Sequence, residues 1–381
     1  MIGNNRSEYF SGELMRTDLW GWFNRFAAQA NLEGNLQKQR MVYLYDKGWQ
    51  SLRAEKHAAA LNNFEEGLQL SQQMSLPCFE LFYDYWCAET LIFYKNDYRE
   101  GLDRSIKMGA RAHQERFVDC PVRGRVYYTL MYVYYAMDAI GYEDKIREMI
   151  AFMEDEIPLD DDTYHRMYYT RASLAYALEN YDEAETLIQE YLAITIGNAH
   201  RQSGGYNMLR MVAHARGDLD KAFNFAHIGE KYARFARLEN SVALSLLWQA
   251  VYSRYTGELE RAASLHFQGK SHYERFDLKP LPEYYNAVCE YMELCGDIET
   301  VLRLRQEQIA AISDVGSVSY TANSHLQYVR LLGRAGKDIT AALKTAYASG
   351  EALLKPERFK DKLQKVESGD YYEFEWQKEY I

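Results

Sequence analysis

A polar turn, a helix-opening residue and, three positions later, a small residue recur along this chain at intervals close to 40 residues. The clearest copy is Glu179-Asn180-Tyr181-Asp182-Glu183-Ala184, followed by Leu187, Ile188 and Tyr191 on helical spacing. Aligned on the residue after the turn, the copies fall at His57, Tyr98, Tyr142, Tyr181, Leu219, Leu259, Ile298 and Asp338, separated by 38 to 44 residues. Three residues beyond them stand Ala60, Gly101, Lys145, Ala184, Ala222, Ala262, Val301 and Ala341, so six of the eight are Ala or Gly. Small side chains there let two helices approach closely. A fixed period of this size points to one supersecondary unit repeated, each copy burying its apolar face only against its neighbours. Gly217, Gly257, Gly296 and Gly336 fall two residues before their anchors and Gly141 one before, where a helix end takes a left-handed residue. Pro77, Pro121, Pro158 and Pro280 sit just ahead of a first helix, where a missing N–H costs nothing.

Each period therefore reads as a hairpin of two amphipathic helices, and the fold class as all-α. Six prolines in 381 residues and the lack of sustained alternating runs agree with that, and 48% hydrophobic with 26% charged residues is ordinary for a soluble chain. The spacing predicts a helical-repeat array over residues 37–353, an N-terminal segment with a capping helix over 1–36, and a charged, aromatic tail over 354–381. Residues 1–6 read as unstructured. Phe10, Leu14, Leu19, Trp20, Trp22, Phe23, Phe26 and Ala30 follow helical spacing, with Thr17 or Asp18 as a cap. A helix lying in a membrane surface favours a basic polar face, and only Arg16 and Arg25 are basic here, so the stripe is read as a cover over the first repeat. The tail's Tyr371-Tyr372-Glu373-Phe374-Glu375-Trp376 suits either a docked closing element or a partner-binding peptide.

At these anchors the chain resembles the tetratricopeptide repeat family: paired helices, a small residue within the first, a turn, an aromatic and then an Ala. The best matching stretch is Ala172 to Tyr191, followed by those around Gly217-Asp218-Leu219-Asp220-Lys221-Ala222 and Gly257-Glu258-Leu259-Glu260-Arg261-Ala262. The period is longer than the family's commonest length of about 34, and Glu89 and Arg210 stand where the small residue belongs. The resemblance implies a right-handed α-solenoid of about eight hairpins, whose first helices line a concave groove with positions two, five, nine and twelve. In this sequence those positions hold Tyr83 and Trp86, then Tyr127 and Tyr134, then Arg166, Tyr169 and Tyr176. Further on they hold Asn207, Met211 and His214, then Arg254, then Asn286 with Glu290 and Glu293, and finally Arg330. An amide that both donates and accepts suits the backbone of an extended peptide, and aromatic walls suit its side chains. Removing Arg166, Asn207 or Tyr134 is thus expected to weaken partner binding with little loss of stability.

Charge and motif content narrow the function. A net charge of -11 and a pI near 5.4 speak against charge-driven nucleic-acid binding, which needs a basic stripe. The five cysteines are scattered and odd in number, so they read as reduced thiols of a cytoplasmic protein. The longest apolar stretch, Val126 to Met137, is too short for a bilayer span. No phosphate-binding loop, nucleophile elbow or zinc-protease motif occurs. Asp161, Asp162 and His165 share a helical turn, but carboxylates at a helix start read better as caps than as metal ligands. No cofactor or metal is called for. The expected function is a non-catalytic scaffold binding a protein or extended peptide in the groove. The alternatives are a peptide-responsive regulator similar to bacterial tetratricopeptide receptors of quorum-sensing peptides, or an enzyme subunit with a site assembled across repeats.

Overall fold

The computed structural model of the protein describes residues 17–95, 97–278, 280, 282–313 and 316–380. Among them are 18 α-helices and no β-strand. The first nine are α1 (Leu19–Leu32), α2 (Leu36–Arg53), α3 (His57–Gln73), α4 (Pro77–Glu89), α5 (Tyr98–Ala112), α6 (Arg123–Asp138), α7 (Glu143–Glu156), α8 (Asp161–Ala177) and α9 (Tyr181–Ile194). The remainder are α10 (Ala199–Ala215), α11 (Leu219–Ala236), α12 (Glu239–Tyr255), α13 (Leu259–Arg275), α14 (Pro282–Leu294), α15 (Ile298–Ser313), α16 (Val318–Arg334), α17 (Thr340–Gly350) and α18 (Glu357–Glu367). Helices adjacent in sequence pack as pairs, the arrangement of a helical repeat. Six anchors open the helix expected of them: His57, Tyr98, Tyr181, Leu219, Leu259 and Ile298; Tyr142 immediately precedes α7 and Asp338 lies two residues before α17.

Backbone chemistry explains this regularity. Gly217, Gly257, Gly296 and Gly336 end their helices with φ of 76°, 80°, 78° and 64°, a left-handed turn in which glycine carries no Cβ penalty. Glu55 and Glu179 take the same turn in the same register, at 56° and 65°, without being glycine. Gly141 does not; its N–H is held instead by Asp138 Oδ1 at 2.9 Å. Ala60, Ala184, Ala222 and Ala262 are fully buried at the helix crossings. Ala341 is exposed, because α17 starts late and buries Ala346 in its place.

The chain forms two compact units, Met1–Met167 with Val315–Ser317, and Tyr168–Asp314 with Val318–Ile381. In the first, Asp18 caps α1 by accepting from Gly21 N–H at 2.8 Å. The aromatic stripe of α1 then packs on α2 and α4, with Phe26 4.0 Å and Trp22 4.5 Å from Phe79, and Phe23 4.7 Å from Tyr45. The expectations for residues 1–6, Phe10 and Leu14 concern positions outside those described. Cys78, the second residue of α4, is joined by a disulfide to Cys120 in the turn before α6, which corrects the reading of all five cysteines as thiols. Cys87 and Cys289 are buried thiols and Cys295 is an exposed one. In the second unit, α18 docks Phe359, Leu363 and Val366 on a core that includes Leu326, Val329 and Ala346 of α16 and α17. No helix among the described residues is long and apolar enough to cross a membrane.

Candidate binding face

Four of the residues expected to line a groove are packing residues of the first unit. Tyr83 is fully buried, its hydroxyl donates to the Met41 carbonyl, and its ring lies over Gly67, where a Cβ would stand 2.3 Å from Cε1. Trp86 packs among Phe64, Tyr45 and Trp49 at 5.5 to 5.7 Å, with Trp20 of α1 at 6.5 Å. Tyr127 meets Phe152 at 5.1 Å, and Tyr134 meets Tyr142 at 4.6 Å. These rings turn toward neighbouring helices or lie under α1, so they present little surface to a partner.

Arg166, expected to be dispensable for stability, is tied into a charged cluster. Its Nη1 lies 3.0 Å from Glu89 Oε1 and its Nε 3.0 Å from Asp162 Oδ2, with the guanidinium over the rings of Phe93 and Tyr128. Nearby, Arg125 grips Asp160 with two bonds of 3.1 and 2.9 Å and reaches the Tyr85 hydroxyl at 3.3 Å. Asp160 caps α8, accepting from the N–H groups of Asp162 and Thr163. Glu89, which interrupts the small-residue pattern, is thus the partner of a cation from another helix.

The second unit holds the other expected residues. Tyr169 packs on Tyr191 at 5.5 Å, Tyr176 on Tyr181 at 5.6 Å, and Met211 is half-buried on α10. Asn207 and Asn286 do not offer free carbonyls: Asn207 Oδ1 accepts from Arg210 Nε at 2.9 Å and Asn286 Oδ1 from Arg305 Nη1 at 2.6 Å. Arg210, the second break in the pattern, also donates to Tyr252 at 3.1 Å and stacks 4.3 Å from the Trp248 ring. Arg254 closes the end of α14 by donating twice to the Leu294 carbonyl, at 3.3 and 3.2 Å.

His214 and Glu290 meet with residues the sequence did not single out. The Tyr255 hydroxyl donates to Glu290 Oε1 at 2.7 Å, and His214 Nε2 lies 3.8 Å from the same oxygen. Burial first, with Glu293 and Glu373 adding to it, pushes the Glu290 carboxyl up to about 7, against the pull of the Tyr255 bond. Burial and then Arg210 drive His214 down to about 3. Both groups are therefore held toward their uncharged forms, and the set offers hydrogen bonds more than charge.

The chain's own C-terminal segment lies across this set. Arg334, held by Glu293 at 2.6 and 2.9 Å, donates to the Tyr371 carbonyl at 2.5 Å. Gln327 donates to Glu373 Oε2 at 2.6 Å, and Arg330 Nη1 lies 4.0 Å from that oxygen. Phe374 and Trp376 stand edge-on to His214 at 5.5 and 5.2 Å, and Trp376 and Tyr380 to Tyr255 at 5.4 and 5.2 Å. The segment thus runs over α10, α12 and α16, which are first helices of their pairs. Its sequence cue was the run of aromatics alternating with glutamates, which left open whether the tail closes the fold or binds a partner.

Gly217 reports on this seat. A Cβ there would stand 2.8 Å from Trp376 Cγ, whereas at Gly257, which shares its left-handed backbone, nothing lies within 4 Å. Gly257→Ala is expected to cost about 1–2 kcal/mol of backbone strain, and Gly217→Ala roughly 1–3 kcal/mol more from the clash. Urea denaturation of the two variants measures the difference, and equal losses would remove Trp376 from that position. Neither a protein-family model nor a curated protein matches the chain.

Proposed function

We propose that the protein is a non-catalytic binding protein, a right-handed solenoid of about eight tetratricopeptide-like hairpins, which holds an extended peptide segment of a protein partner along the first helices of its second unit. One observation carries the reading: a stretch of this chain, Tyr371 to Tyr380, already lies across α10, α12 and α16, anchored by rings and by two glutamate-compatible donors, Gln327 and Arg330. Aromatic rings with a few convergent polar groups are the usual make-up of such sites. Panning a random peptide library against the full chain tests it. Enriched peptides are expected to cross-link to α10, α12, α14 or α16; enrichment of none, or cross-links confined elsewhere, would sink the reading.

A peptide-responsive regulator is the second reading, supported by the same segment, since a ligand for this face must first move it. Cytoplasmic residence, inferred from scattered cysteines, loses part of its support with the Cys78–Cys120 bond, which is commonest in oxidising compartments.

A further inference from the structure

The C-terminal segment is an incomplete match to the face beneath it. His214, Trp248 and Arg330 are 7%, 6% and 6% exposed, so each is more than nine-tenths buried. Yet His214 Nδ1, Trp248 Nε1 and Arg330 Nε have no hydrogen-bond partner, and neither has the buried Nε1 of Trp376 itself. Buried polar groups without partners are costly, each forfeiting its hydration for nothing in return. Meanwhile the segment uses acceptors on itself: Gln377 Oε1 takes the N–H groups of Glu373 and Phe374 at 3.2 and 3.1 Å, and Glu375 pairs with Lys378 at 2.9 Å. Glu373, Glu375, Lys378, Glu379 and Tyr380 are all exposed. Such a segment is held in place without being locked there.

Resting on the reading above of this face as a peptide site, we propose that Tyr371 to Tyr380 is a resident stand-in for the partner. The partner segment that displaces it is an extended peptide alternating acidic and aromatic residues, as in Tyr372-Glu373-Phe374-Glu375-Trp376. The aromatics take the places of Phe374 and Trp376 beside His214 and Tyr255. Carboxylates supply acceptors to Gln327 and Arg330, and further acceptors reach Trp248 Nε1 and Arg330 Nε, which now have none.

The test uses a fluorescein-labelled peptide of residues 369–381 added to three full-length proteins: the native chain, Glu373→Ala/Phe374→Ala/Trp376→Ala, and the milder Glu373→Lys. An attached tail competes at an effective concentration in the millimolar range, so the native chain is expected to take the peptide weakly. The triple variant is expected to take it about tenfold more tightly or better, and Glu373→Lys about threefold. Replacing Glu373 and Glu375 of the peptide by lysine is expected to abolish the gain. Circular dichroism checks that the triple variant keeps its helices; if it does not, the comparison of Glu373→Lys with the native chain decides. Equal affinity of the variant and native chains, or no binding to either, overturns the stand-in. If library peptides still cross-link to this face in that event, the peptide-site reading stands and only the stand-in falls.

Discussion

Arg125→Ala is expected to remove about 3–5 kcal/mol of stability, the usual consequence of stripping one partner from a buried ion pair. Arg125 is 5% and Asp160 8% exposed. The guanidinium meets both carboxylate oxygens, the Tyr85 hydroxyl and the face of Trp20, 5.3 Å away. Without it, Asp160 stays buried while still capping α8, and its charge has no route to water. Urea unfolding followed by circular dichroism measures the loss. The double variant Arg125→Met/Asp160→Asn is expected to recover most of it, since removing both charges ends the desolvation problem that removing one creates. A loss below about 1 kcal/mol in the single variant, as for an exposed pair, would mean that the carboxylate rehydrates.

Glu290→Gln is expected to change how stability depends on pH. The Glu290 carboxyl rises from an ordinary 4.5 to about 7 in the folded chain, so the folded state holds its proton more tightly than the unfolded one. Its contribution is complete below 4.5 and is lost as pH climbs through 7. The difference corresponds to about 3 kcal/mol. His214 works in the opposite sense: lowered from 6.5 to about 3, it contributes fully above 6.5 and less as pH falls toward 3. The two slopes oppose each other between 4.5 and 6.5, so the native chain alone gives a muted profile. Glutamine still accepts from Tyr255 but does not titrate. The stability of the native chain minus that of the variant is therefore expected to fall by about 3 kcal/mol from about pH 5 to about pH 8. A flat difference would show that Glu290 is hydrated rather than enclosed.

The helix pairs were legible because their signals are local. A left-handed residue, a helix start and a small side chain at a crossing follow from backbone sterics, and Gly217, Leu219 and Ala222 supply all three within six residues. Which way each ring points was far less legible. One residue turns a helix face by about 100°, and a first helix in such a pair is apolar on more than one side. Tyr83 illustrates this: what turns it inward is the space left by Gly67, 16 residues away on another helix. Glu89 and Arg210 read as defects in a pattern, whereas they are the polar ties that link one pair to another. The disulfide had a faint signal in the prolines beside its cysteines, Pro77-Cys78 and Cys120-Pro121, placed about one period apart.

That bond bears on how the molecule comes apart. A cross-link acts chiefly on the unfolded chain, by closing part of it into a loop. Between α4 and the approach to α6 the chain carries a covalent rivet, Cys78 to Cys120. Unfolding of the first unit therefore leaves a closed loop of chain, and α4 and the approach to α6 become free of one another only once a reductant has cut the bond.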